Sequence, residues 1–496
     1  KEVMTSITSL RYSQERLPVC WQPPLSISCL SLRCLSALTL LWLASLSGPT
    51  CAAAVAVSAH KSAVPKHRQS HIADADSEPI SAGATSFDHF IERYGRSYRK
   101  GSEEYAKRQV LFKQRLRFVE SHNARPSQSW KAAIGPFADR TETERATLRG
   151  WRRQSTNPSS GGVPRPGRSF GGGGPASLIA LEAERRPPRS MDWRFLSVAR
   201  EIIDQSACGS CWAATAASVL EAHYELHHGA PRSFSVQEIL SCTPNPRHCG
   251  GAGGCEGATV EEGMEWVLRN GISDEAAVPY EAKDTECSRA PGTSLVEASF
   301  QKTGRSIGLV GWETIAPKNF DHPLAKAVVE YGPVAVSVAA DMWHEYSSGI
   351  FDGCPRDVVV DHAVTLYGYG EEGGRRFWRI RNTWGPTWGE NGFIRLLRHN
   401  EGEKYCGTDT DNQQGVGCIG DPKEIEVCGM CGILSDSVVP HFAGGKNIST
   451  SNRKAMFADL DGDSWPSPGG GAAESAANML EGGAPSSSPL VRRERI

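Results

Sequence analysis

The chain has 496 residues, a formal net charge of −2 and fifteen cysteines. A near-neutral balance offers no field to attract nucleic acid or another polyanion, so no nucleic-acid partner is expected. Length is a soft prior for about three domains. So many cysteines point away from a reducing cytosol and toward an oxidising compartment.

The first feature in chain order is an apolar run, Leu35 to Ser47, after the basic Arg11, Arg16 and Arg33 and before small residues from Cys51 to Val57. This is the pattern of a signal-peptide core with its cleavage region, so residues 1–57 are expected to be a leader. The expected route is secretory, ending in a lysosome- or vacuole-like compartment or outside the cell. The run is short for a membrane span, and an uncleaved signal anchor is the second reading.

Residues 86–150 follow as a helical segment. Phe87, Phe90, Tyr94 and Tyr98 recur at near-helical spacing. Glu104, Arg108, Phe112, Arg115, Val119 and Asn123 then keep to one helix face. Taken alone, this is an amphipathic helical hairpin. Residues 151–188 are rich in Gly, Ser, Pro and Arg, cannot bury a core and predict a flexible, protease-accessible linker. The expected cut lies near Arg185-Arg186-Pro187-Pro188. The segment 189–443 holds the remaining core-forming sequence, and 444–496 is a low-complexity tail. The tail carries the sequon Asn447-Ile448-Ser449. Its Asp459–Asp463 run lacks the distal glutamate of a calcium loop.

Within 189–443, Ala213 to Leu226 predicts a helix that the run Gln205-Ser206-Ala207-Cys208-Gly209-Ser210-Cys211-Trp212 introduces. Cys211 would then open the helix, where unpaired N–H groups favour a thiolate. Gln205 could offer its amide to an oxyanion. Further helices are expected near Ser235–Leu240 and Val260–Asn270. From about Phe300 the pattern turns strand-like, as in Pro333–Val338. His362 opens one such stretch. Asn382 lies in Arg379-Ile380-Arg381-Asn382-Thr383-Trp384-Gly385. A thiol nucleophile needs a base, and the base needs an orienting group.

The Cys211, His362 and Asn382 segments, in this order, resemble those of papain-like cysteine peptidases. The signature Cys208-Gly209-Ser210-Cys211-Trp212 is the most specific of them. Ser206-Ala207, Asp361 and Thr383 depart from the common family residues without removing a catalytic group. The helix-face series resembles the interrupted ERFNIN motif of the family's propeptides, with Arg115 and Val119 as substitutions. Ala133–Asp139 resembles the GNFD-type segment. The resemblance implies an α+β, papain-like two-lobe fold, with a helical lobe and a β-barrel-like lobe behind a helical inhibitor propeptide. It implies a cysteine endopeptidase made as a self-inhibited proenzyme that acts on protein or peptide substrates. No cofactor or metal and a monomeric state are expected.

The roles it implies are Cys211 as nucleophile, His362 as acid and base, Asn382 as orienter and Gln205 as oxyanion donor, with Trp384 shielding the His–Asn bond. Substrate would pair along Gly257 and Ala258. Thr259, Val260, Ser337, Val360 and Ala363 would line the pocket for the residue two before the scissile bond, with Asp436 on its floor. Disulfides Cys208–Cys255 and Cys242–Cys287 are also implied, and Cys354 with Cys406 or Cys431. Spacing leaves the other pairings open, and a small zinc site from Cys406, Cys418, Cys428 and Cys431 is a minor alternative. Segments 243–254 and 399–430 are insertions relative to simple papain-like chains, and either could favour exopeptidase action. A catalytically silent binding protein on the same fold is the rival from another class, as is an acyltransferase using the same thiol.

Overall fold

The computed structural model describes residues 68–70, 86–150, 187–287, 304–400 and 402–443. The leader, most of the 151–188 linker and the 444–496 tail, with its sequon and Asp-rich run, lie outside the described residues. Among the described residues no helix is long and apolar enough to cross a membrane.

The buried apolar residues divide into two cores. One gathers around the helix Cys211–His228 together with helices Val236–Cys242 and Val260–Asn270. The central helix can pack closely because Ala213, Ala214, Ala216 and Ala217 present only methyl groups and are fully buried. The helix starts at Cys211, as expected, and runs two residues past Leu226. The other core fills the β lobe and continues into the segment 86–148.

The β lobe is built on a nine-stranded sheet. Its path runs through Trp130–Ala132, Tyr346–Phe351, Phe393–Leu397, Arg375–Arg381, His362–Glu372, Val334–Val338, Ser437–Phe442 and Leu309–Thr314, and Met191–Asp192 pairs with His362–Glu372. Pairing is antiparallel except between Phe393–Leu397 and Tyr346–Phe351. The hairpin between His362–Glu372 and Arg375–Arg381 positions the site. Its two-residue turn, Gly373-Gly374, has φ of 56° and 76°, as a tight type I′ connection requires. Pairing then runs from Glu372↔Arg375 back to Thr365↔Arg381. The first residue of one strand and the residue after the other therefore meet at the open end: His362 and Asn382.

Residues 86–150 pack against the β lobe and share its core. The helices Phe87–Arg93 and Glu103–Asn123 pack through Phe87, Phe90 and Phe112, whose ring centroids lie 5.1–6.0 Å apart. Arg108 sits inside this unit, holding Glu144 and the Asp139 carbonyl. Arg96 and Tyr98 both bond the Asp139 carboxylate. Five of the helix-face residues named from the sequence therefore have identifiable partners: Glu104 and Arg108 bond each other, Phe112 packs, Arg115 bonds Glu142, and Asn123 pairs with the backbone of Ala132.

Five disulfides close the described residues: Cys208–Cys255, Cys242–Cys287, Cys249–Cys418, Cys354–Cys431 and Cys406–Cys428. Each sulfur considered for zinc is thus spent. Cys211 alone among the described residues is a free thiol.

Candidate active site

Cys211 is the first residue of its helix, and no side chain caps the helix start. Its N-terminal N–H groups are therefore available to a negative charge. Cys211 is only 3% exposed and lies in one cavity with His362 and Ala363. His362 Nε2 meets Asn382 Oδ1 at 2.8 Å. The Thr383 N–H also donates to that oxygen at 2.8 Å, which fixes which way the amide points. With Nε2 so committed, His362 Nδ1 is left without a hydrogen-bond partner. The Trp384 ring lies 5.1 Å from the imidazole, and Trp388 packs edge-on against Trp384. Water is thereby kept from the His–Asn bond, which strengthens it.

Gln205 is fully buried and doubly anchored. Its N–H donates to the Thr383 carbonyl at 2.9 Å, and its Oε1 accepts from the Thr383 hydroxyl. With Oε1 occupied, Nε2 turns the other way, donating one hydrogen to the Cys208 carbonyl at 2.8 Å and keeping the second for the cleft. Thr383 therefore orients both amides, a role not assigned from sequence, where it was only a departure from serine. Tyr280 adds a second unforeseen support: its hydroxyl donates to the Gln205 carbonyl at 3.0 Å and meets Ser210 Oγ. No local pattern around Tyr280 could have signalled this.

The cleft is covered by residues 147–150. Trp130–Ala132 first joins the sheet edge at Tyr346–Phe351. Phe137 then packs edge-on against Trp384 at 5.4 Å. After the helix Glu142–Thr147, opened by a Thr141/Glu144 capping box, the Leu148 carbonyl accepts from Gln205 Nε2 at 2.9 Å and Trp384 Nε1 at 3.3 Å. Gly150 passes so close that a Cβ on it would stand 3.2 Å from Cys211 Sγ and 3.9 Å from the Asp361 carbonyl. Arg149 lies 3.3 Å from the Asp361 carboxylate.

This cover changes the charges. Burial pushes the Cys211 thiol up to about 12 and pulls His362 down to about 4, the Asn382 bond resisting the second shift. Both groups are neutral between those values. The thiolate expected from the helix start is thus absent in the covered state, because desolvation outweighs the helix dipole.

Ala258, Thr259, Val260, Ser337 and Ala363 line the same cavity as Cys211. Val360 does not; it is fully buried, with its carbonyl bonded to the Val416 N–H at 3.1 Å. Gly257 faces Gly150, and its carbonyl accepts from the Gly253 N–H at 2.7 Å. Asp436 is 9% exposed and lies beside the cavity, accepting from Ser337 Oγ at 2.8 Å and from Lys318 Nζ at 3.2 Å. Burial, and then the Asp436 charge, raise Glu261 to about 8. The sequence did not single out Lys318 or Glu261.

Residues 187–416 match the papain family of cysteine proteases, and residues 87–144 match the cathepsin propeptide inhibitor domain (I29). The chain is 31% identical over 356 residues to cysteine endopeptidase RepA of Oryza sativa subsp. japonica, covering 71% of this chain and 81% of that protein. It is 31% identical over 340 residues to digestive cysteine proteinase 2 of Homarus americanus, covering 67% and 94%. Digestive procathepsin L 3 of the Tenebrio molitor larval midgut superposes with a TM-score of 0.53 at 26% identity, covering 72% of this chain and 97% of that one. Recombinant stem bromelain precursor gives 0.51 at 27% identity, covering 72% and 98%.

Proposed function

Because the chain belongs to the papain family of cysteine proteases and carries that family's inhibitory propeptide, we propose that Cys211, His362, Asn382 and Gln205 form its catalytic constellation, working as an endopeptidase once residues 86–150 leave the cleft. The observation that carries this is the Leu148 carbonyl on Gln205 Nε2, beside the free Cys211 thiol. A propeptide carbonyl takes the donor that a substrate oxyanion needs.

Uncovering returns water to Cys211 and His362, so the thiolate–imidazolium pair can form at the helix start. The Cys211 sulfur attacks the scissile carbonyl carbon, and the oxyanion turns to Gln205 Nε2 and the Cys211 N–H. The C–N bond breaks as His362 protonates the leaving amine, leaving a thioester. Water then attacks the thioester, giving its proton to His362, and the thiol is regenerated as the carboxylate departs. Asn382 holds the ring in the tautomer that this needs.

The test is the secreted protein, incubated at mildly acid pH with a thiol reductant. Conversion to a form beginning near Pro187, with cleavage of dipeptidyl fluorogenic amides and epoxysuccinyl labelling at Cys211, supports the reading. A processed, folded protein without activity or label sinks it and favours the silent binding protein. The disulfides and the expected leader support a secretory route, ending in a vacuole-like compartment or outside the cell.

Asp361 should make acid hold the cover rather than release it. Burial raises Asp361 to about 7, above its value once the cleft opens to water, and the Arg149 charge only partly opposes that rise. The covered state therefore binds the proton more firmly, so this group favours the cover below about pH 7 and opposes it above. Asp361→Asn, neutral at every pH, is expected to convert like the native protein at pH 5.5 and more slowly than it at pH 7.5. Conversion time courses across pH check this, and an unchanged pH profile sinks it.

Asp436 supplies the charge for a basic side chain two residues before the scissile bond. Lys318 already shares that carboxylate, so the preference is moderate. Asp436→Ala is expected to lower the Arg-to-Leu ratio of kcat/KM at this position by about tenfold, the worth of one charge-assisted hydrogen bond. An unchanged ratio would mean Asp436 does not meet substrate.

A further inference from the structure

The two segments that exceed a simple papain-like chain are joined to each other. Cys249 in the first and Cys418 in the second form a disulfide across 169 residues of sequence. Around it the Gly250 N–H donates to the Gly417 carbonyl at 3.1 Å, and the Ile419 N–H to the Arg247 carbonyl at 2.9 Å. Arg247 and Asp421 pair at 3.2 Å. Each half is stiff before it is joined. Asn245 bonds the Cys249 N–H and the Cys249 and Gly251 carbonyls at 2.8–3.0 Å. The second half rests on the hairpin Cys406–Asp409/Ile425–Cys428, itself closed by Cys406–Cys428.

This strap is fastened to both lobes. On the helical side Cys249 is buried and Gly251 lies on the Glu256 carbonyl, so close that a Cβ there would stand 2.0 Å away. On the β side Val360 is held twice, by Val416 at 3.1 Å and by the Asp409 carboxylate at 3.0 Å. Gly250, Gly415 and Val416 line the cavity that holds Cys211, Thr259 and Ser337. Gly250 presses on the Ala258 carbonyl, where a Cβ would come within 2.6 Å, and Gly253 has taken the Gly257 carbonyl. The backbone edge along which an extended substrate would add as a strand is thus already occupied just past the Ser337 pocket.

We propose that the Cys249–Cys418 strap ends the substrate cleft behind the pocket formed by Ala258, Thr259, Val260 and Ser337, so that the enzyme binds only two residues on the acyl side of the scissile bond. The proposal rests on Cys211 as nucleophile. A third residue meets a covalently fixed wall of backbone, so a longer acyl side must turn out of the cleft and gains no contact there. Opening the strap frees the edge and lengthens the site.

The experiment compares kcat/KM for fluorogenic amides carrying two, three and four residues before the same leaving group, with Cys211 titrated by epoxysuccinyl label. Mass spectrometry of the peptide linked through Cys249–Cys418 confirms that the strap survives activation. The native enzyme should show less than a threefold gain from two residues to four. Cys249→Ser/Cys418→Ser should gain tenfold or more, with dipeptidyl cleavage retained. A tenfold gain in the native enzyme with the strap intact overturns the proposal, and does so even if the double variant fails to fold. A double variant with the native length profile overturns it as well. Absence of label at Cys211 and of dipeptidyl cleavage in the folded native enzyme would instead refute Cys211 as nucleophile, which the length series alone cannot do.

Discussion

Cys211→Ala is expected to lower kcat by on the order of 10⁴-fold or more, since removing the nucleophile from a covalent constellation leaves only binding and oxyanion stabilisation. The variant should fold. Alanine is the best helix former, and the neighbours at Ala213 and Ala214 show that small side chains suit this surface. It should also keep its propeptide uncut, because conversion needs the same thiol. Mature protein for the assay therefore comes from cutting the linker with an added protease. Unchanged thermal unfolding alongside lost turnover separates chemistry from stability. Turnover within tenfold of the native enzyme would place the nucleophile elsewhere, although Cys211 is the free thiol of the described residues.

Arg145→Ala should loosen the propeptide by about 10²- to 10³-fold. Arg145 is 3% exposed, pairs with Glu345 and donates to the Phe137 carbonyl at 3.1 Å. It bridges the propeptide to the enzyme in a place water hardly reaches. Burial pulls its pKa down while the Glu345 charge holds it up, which shows how much the cation depends on that partner. Truncation leaves Glu345, among the described residues, with Arg115 at 3.5 Å. Breaking a buried pair from one side costs about 3–5 kcal/mol, most of it the stranded charge. The readout is epoxysuccinyl labelling of unprocessed protein at neutral pH, which should quicken by that factor. Glu345→Gln should have a smaller effect, since the amide can still accept a bond. Labelling at the native rate in Arg145→Ala would mean that the propeptide is held by its strand and aromatic contacts instead.

Much of the site was legible because its chemistry is local. A helix start with a thiol, a histidine opening an apolar strand and an asparagine twenty residues later each carry their own short pattern. The hairpin through Gly373-Gly374 turns that spacing into a 2.8 Å contact. The helical face of Glu104, Arg108, Phe112 and Asn123 was legible for the same reason, since a period of 3.6 residues is written along the chain. Val360 was not: its place in the segment suited the pocket, but its carbonyl was needed by Val416 and its side chain by the core.

What the sequence offered by itself was a set of candidate reacting groups and the order of the elements that carry them. These follow from short-range pattern and composition, which the chain states without folding. The tertiary structure alone decided that Thr383 and Tyr280 aim Gln205, that Leu148 lies where an oxyanion would, and that Lys318 shares Asp436. It also decided that Cys249 meets Cys418. Those pairings join residues far apart in sequence, and composition and spacing allow many alternatives. Only the packing of two lobes against one propeptide brings one set of partners within bonding distance.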